Sequence, residues 1–211
     1  MRNQSVLFFP NPDSTHCLQA CLKMVLNYFL PNRDYSWDEL DRLTGKREGK
    51  WTWPLRSIGK LHDLGFDVKM IVKFDYAAFF EQPEKYLIER YGDVAGRELV
   101  LNSDIPYELE VTKKYLGIAK NSEPTLKDLE NFLDHGSLPI CGLNLPTLYE
   151  ESGSLSHFVL LLDFDRTSIW LHDPGVQNEH FPGRQAVKVS HATFMNAWSM
   201  NMLVFGVGKT T

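Results

Sequence analysis

The stretch PNPDSTHCLQACLKMVLNYF, residues 10–29, decides how the rest of the chain is read. Its first part is turn-forming, with two prolines and several candidate helix caps. Beyond it, apolar residues recur at Cys17, Ala20, Cys21, Met24, Val25, Tyr28 and Phe29. Steps of three and four describe one buried stripe of a helix. Cys17 opens that helix, so its sulfur lies near unpaired amides and the positive end of the dipole, an environment that favours thiolate. The plainer alternative is that Cys17 is a small packing residue, which is also the reading for Cys21 one turn later. Chemistry at Cys17 requires a histidine to take the thiol proton and a carboxylate or amide to fix that histidine's tautomer.

Working outward, the chain divides into a helical first half and a strand-rich end, which predicts an α+β fold. SVLFF (5–9) is expected to be a short strand. SWDELDRLTG (36–45) opens with a Ser-x-x-Glu capping box and stops at Gly45. PLRSIGKLHDLG (54–65) puts Leu55, Ile58, Leu61 and Leu64 on one helical face, and FDVKMIV (66–72) follows as a strand. TLKDLENFLDHG (125–136) is a helix starting at Thr125 or Pro124. After it, LPICGLNL, HFVLLLDFD, SIWLHD, QAVKVS and MLVFGVGK read as antiparallel strands, interrupted by one helix, SHATFMNAW, capped by Ser190. With 211 residues and no Pro/Gly/Ser-rich linker, one domain spanning 1–211 is expected, with a helical insertion around 75–120 whose aromatics look like packing groups.

Of the seven histidines, His157 stands out because it heads the apolar strand HFVLLL, and Asp173 follows it by sixteen residues in LHDPG. A hairpin centred near Arg166 sets positions whose numbers sum to about 330–332 opposite one another, which brings Asp173 beside His157. Taken alone, HDPG is equally a plain strand end followed by turn formers. His172 alternates to the opposite sheet face and is expected to be exposed to solvent. Cys141, flanked by strand residues, reads as core.

HCLQACLKMVL near the start, HFVLLL late in the chain and LHDPG after it, in the order Cys, His, Asp, resemble the papain-like cysteine peptidases that process the double-glycine leaders of bacteriocins. The resemblance implies a papain-like fold, with the nucleophile helix and helical half packed on a C-terminal antiparallel sheet. It implies Cys17 as nucleophile, His157 as general base and then acid, and Asp173 as the residue orienting His157. The family's oxyanion-hole glutamine, six residues ahead of the cysteine, is replaced here by Asn11, which keeps an amide donor on a side chain one methylene shorter. Leu18 stands where the family usually has glycine.

The chemistry this implies is acyl transfer through a thioester on a peptide or a small amide or thioester. Water as acceptor makes the chain a hydrolase, either peptidase or amidase; an amine makes it an acyltransferase with the same residues. A papain-like cleft that binds peptide without catalysis is the third possibility. His16 is either a solvated loop residue or a polar contact to substrate, and Trp51 and Trp53 in GKWTWPL either pack or line the cleft.

Other classes are disfavoured. A net charge of −5 without a basic run argues against nucleic acid. Three cysteines do not make a disulfide framework, and CLQAC lacks a second Cys/His pair at zinc spacing, so no metal or cofactor is expected. The tail GVGKTT lacks the first glycine of a phosphate-binding loop. No segment reaches the length of a membrane span or the apolar core of a signal peptide, so a cytoplasmic, freestanding relative of the family is expected.

Overall fold

A computed structural model describes residues 2–198 and 203–209. Helix α1 (Cys17–Phe29) is buried along nearly its whole length, from Leu18 to Leu26 and again at Phe29. It has no acidic residue in its first turn and no side-chain cap, since His16 occupies the cap position. The positive end of the helix is therefore left to the group at Cys17. Helix α2 (Trp37–Thr44) begins with the Ser36/Glu39 capping box and ends at Gly45. Helix α3 (Pro54–Asp63) has proline in its first turn and leads into strand β1 (Phe66–Val72).

Four helices follow: α4 (Tyr76–Glu81), α5 (Pro83–Tyr91), α6 (Asp93–Leu101) and α7 (Ile105–Tyr115). They lead to a three-residue strand β2 (Ala119–Asn121), which pairs parallel with β1. A parallel neighbour demands a crossover connection, and these helices supply it. Phe79, Leu87, Ile105, Val111 and Tyr115 join the same core as α1. Gly59 on α3 permits that docking, because a Cβ there would fall 2.3 Å from the Tyr115 ring.

Helix α8 (Leu126–Asp134) starts at a capping box of Thr125 with Asp128. The remaining elements are β3 (Leu138–Asn144), the one-turn helix α9 (Leu145–Leu148), β4 (Ser156–Phe164), β5 (Ser168–Asp173), β6 (Arg184–Ser190), α10 (His191–Trp198) and β7 (Leu203–Lys209). Ser190 accepts from the Thr193 amide at the head of α10. Met202 of the expected last strand and Thr210 and Thr211 of the GVGKTT tail lie outside the described residues.

The seven strands form one sheet in the order β2-β1-β7-β3-β4-β5-β6, antiparallel apart from the β1/β2 pair. Two apolar clusters cover its faces. One joins Leu138, Ile140, Leu160, Leu162, Phe205 and Val207 to α1 and α3; the other joins Cys141, Val159, Leu161, Leu171 and Val204 to Leu129, Phe194 and Trp198. In the β4/β5 hairpin Leu160 faces His172 and Leu161 faces Leu171, and an irregularity between Leu161 and Asp163 shifts the remaining pairs by one.

Two expectations are corrected. Residues 5–9 are not a strand. The Val6 carbonyl accepts from His172 Nε2 rather than from a ladder amide, and the Asn11 amide donates to the Pro174 carbonyl, so the segment crosses the sheet on isolated bonds. His172 is on the opposite face from Asp173, as alternation requires, but it is 2% exposed rather than solvated. Its Nδ1 accepts from the Ala186 amide where β6 bulges, and Phe8 lies against its ring. Burial holds its pKa below the ordinary value, consistent with a neutral ring that accepts at one nitrogen and donates at the other.

Candidate active site

Alternation along β4 places His157, Val159 and Leu161 on one face, and the register of β5 sets Asp173 on that face with Leu171. His157 and Asp173 sit one diagonal step apart across the hairpin, within reach of a long side chain. The His157 Nε2 and Asp173 Oδ1 are 2.8 Å apart, with the residues 1% and 0% exposed. The Cys17 sulfur lies beside the same ring and accepts from the amides of Phe158 and Leu18. Cys17 itself is only partly buried, whereas Cys21 and Cys141 are fully buried.

The electrostatics follow from this chain of contacts. Burial would raise the Cys17 thiol, but the adjacent His157 charge and the three hydrogen bonds hold it below its ordinary value. Burial would likewise lower His157, yet the Cys17 sulfur and the Asp173 carboxylate raise it to about 9. Burial would raise Asp173, but the His157 ring, the Tyr149 hydroxyl and the Gly175 amide keep it below its ordinary value. Cys21 and Cys141 have no such partner and burial pushes both well up. One of the three thiols is thus set apart electrostatically, with an imidazole beside it and a carboxylate on that imidazole.

The aspartate is held by more than the histidine. Tyr149 donates its hydroxyl to Asp173 Oδ2 at 2.5 Å, and the Gly175 amide donates to Oδ1 at 2.8 Å. Burial and the Asp173 charge push the Tyr149 phenol far above its ordinary value, so it remains a donor. The Arg184 guanidinium lies 4.0 Å above the Tyr149 ring, and Phe181 stacks on it. Gly175 has φ +69 and its Cβ would meet the Gly183 nitrogen at 2.3 Å, so this turn admits only glycine. Sequence reasoning missed Tyr149, because no linear spacing links the turn after β3 to Asp173. Its neighbour Asn144 carries the only local sign: its side chain bonds Thr147, Gly153 and Leu155 and so fixes that turn.

The remaining residues singled out in the sequence are distributed as follows. Asn11 is 7% exposed; its Nδ2 donates to the Gly175 carbonyl, and its Oδ1 accepts from the His16 and Asp13 amides. It therefore ties the loop before α1 to the turn after Asp173. His16 is set between two carboxylates, Asp13 at 2.7 Å from Nδ1 and Asp41 at 3.2 Å from Nε2, with the Trp37 ring edge-on. Trp53 packs against Phe79 and donates its indole N–H to Ser103. Trp51 instead lines a cleft of about 490 Å³ together with Thr15, His16, Asp41, Lys50 and Asn102. Among the described residues no three His, Cys, Asp or Glu side chains cluster as a metal site, and no helix is long and apolar enough to cross a membrane.

The sequence matches no protein-family model and no curated protein. The structure is similar to the peptidase domain of Streptococcus ComA, a bi-functional ABC transporter involved in a quorum-sensing pathway, with 14% identity and a TM-score of 0.51 over 97% of this chain and 99% of that one. It is also similar to a Bacillus anthracis protein described as C39-like peptidase, with 17% identity and a TM-score of 0.47 over 100% and 98% of the two chains. At such identities the likeness is one of fold. The chain therefore adopts the papain-like α+β fold of the ComA peptidase domain.

Proposed function

We propose that this chain is a cysteine-dependent hydrolase, a peptidase or amidase, acting through a thioester with Cys17, His157 and Asp173 as its triad. The observation that carries the reading is the buried pair of His157 Nε2 and Asp173 Oδ1 at 2.8 Å, with Tyr149 on the carboxylate and the Cys17 sulfur beside the ring. The Cys17 thiolate attacks a carbonyl carbon. The oxyanion is held by the Cys17 amide, which the helix leaves without an intrahelical partner, and by Asn11, whose second Nδ2 hydrogen is not needed for Gly175. His157, protonated at rest, gives its proton to the leaving group and then takes one from the water that hydrolyses the thioester. Asp173 holds the tautomer. The substrate is a peptide or a small amide or thioester, and the whole chain, including 75–120, acts as one folded unit because that segment shares the core with α1.

The test is a burst experiment with an acyl p-nitrophenyl ester. One equivalent of p-nitrophenol released rapidly, with the acyl mass on the Cys17 peptide and turnover in water, supports the proposal. Turnover only when an amine is added would replace hydrolase by acyltransferase. No burst, with slow and uniform modification of all three cysteines, would reduce the site to a non-catalytic binding cleft.

A further inference from the structure

Trp51 is the residue whose role the triad does not explain. It is 37% exposed, it belongs to neither apolar cluster, and it lines the cleft that begins at Thr15 and His16, immediately ahead of Cys17. Its backbone is not loose. The Trp51 amide donates to the Asn102 carbonyl at 2.6 Å, and Lys50 Nζ donates to the Leu101 carbonyl at 2.6 Å. Trp53 Nε1 donates to Ser103, and Arg47 pairs with Asp104 at 3.6 Å. Four successive residues of the α6–α7 turn thus fasten the loop 47–53. From below, the buried Gln19 of α1 donates to Thr52, Thr44 and Asp41. A large apolar ring fixed at its backbone from two sides, yet left open to a cleft lined by the two residues that precede Cys17, is a surface suited to an apolar group.

We infer that Trp51, braced by the 101–104 turn of the segment between β1 and β2, is a specificity-determining residue that seats a bulky aliphatic or aromatic side chain of the substrate. This rests on the triad reading above and deepens it. The segment that resembles nothing in the family motifs thereby gains a function: its 101–104 turn holds the loop that carries Trp51, and Asn102 itself lines the cleft. Of the charged groups that line the cleft with Trp51, Lys46 and Lys50 each give a hydrogen to a carbonyl, of Lys50 and Leu101, Asp41 is engaged by His16 and Gln19, and Glu48 is the fourth. Trp51 is the one large apolar side chain in that lining.

The experiment is the rate of Cys17 labelling by capped dipeptidyl chloromethyl ketones that differ in one side chain, Ala, Leu, Phe, Asp or Lys, at either residue. The Leu or Phe members are expected to label wild-type Cys17 at least about tenfold faster than Ala, the advantage of burying several more methylene equivalents. Trp51→Ala should compress that ratio to within about threefold, and Trp51→Phe should keep most of it. No apolar preference, a preference for Asp or Lys, or an unchanged ratio in Trp51→Ala would overturn the inference. Iodoacetamide, which has no side chain to seat, separates the two levels: if it does not single out Cys17 over Cys21 and Cys141 in the wild-type protein, it is the triad reading that has failed.

Discussion

Replacing His157 by alanine removes the charge that opposes the effect of burial on Cys17, and its consequence can be followed through the structure. In the wild-type protein the ring bonds the sulfur and carries its proton up to about pH 9. In His157→Ala the amides of Phe158 and Leu18 remain, but desolvation, the largest influence on the thiol, is no longer offset by a cation. With a thiol at or above its ordinary value, about 3% or less is thiolate at pH 7. The more basic sulfur regains part of the loss in intrinsic nucleophilicity. The net expectation is a fall of roughly tenfold or more in the rate of alkylation at pH 7. Iodoacetamide labelling followed by peptide mass spectrometry reads each cysteine separately, and Cys21 and Cys141, fully buried with raised thiols, are internal controls. The wild-type Cys17 rate should rise less steeply between pH 7 and 9 than the variant's, because the His157 charge holds its thiol below the ordinary value. Equal rates at pH 7 with the same pH dependence would refute the ion-pair reasoning.

Three other predictions probe the supports of the site. Tyr149→Phe removes a hydrogen bond to a charged acceptor, worth about 1.5–3 kcal/mol, and should lower ester turnover while leaving far-ultraviolet circular dichroism unchanged; unaltered turnover would show that Asp173 is held by His157 and Gly175 alone. Gly175→Ala should cost about 1–3 kcal/mol in urea unfolding, because φ +69 is strained for alanine and the new Cβ meets the Gly183 backbone; an unchanged midpoint would deny the close approach. Glu108, buried in α7, has its carboxyl raised from 4.5 to about 8, first by burial and then by Asp104. Its folded value exceeds its unfolded one, so its contribution is fully present below about 4.5 and is lost as pH rises through about 8. Glu108→Gln should flatten that part of the stability–pH curve, and a curve of unchanged slope would contradict the assignment.

The parts of the fold legible in the sequence were those fixed by local chemistry. The Ser36 and Thr125 boxes mark helix starts because the side chain and backbone that satisfy each other lie three residues apart. The β4/β5 hairpin could be registered from its turn, to within the one-residue shift introduced at Leu161/Asp163. For the same reason the places of Cys17 at a helix mouth, His157 at a strand head and Asp173 across the hairpin could be read in advance. What was not legible depends on distant partners. SVLFF has strand composition, yet its carbonyl at Val6 finds a histidine side chain 166 residues away. His172 alternates outward but meets Phe8 and the bulge at Ala186. Tyr149 meets Asp173 through the pairing of β3 with β4, and the 101–104 turn meets Trp51 through the packing of α7 against α3.

The most direct test of the central claim is a crystal structure of the protein soaked with a capped peptide aldehyde. The account predicts a hemithioacetal on the Cys17 sulfur, its oxygen accepting from the Cys17 amide, with the His157 ring between the adduct and the Asp173 carboxylate. An unmodified Cys17, or an adduct with the His157 ring turned away from both sulfur and carboxylate, would contradict it.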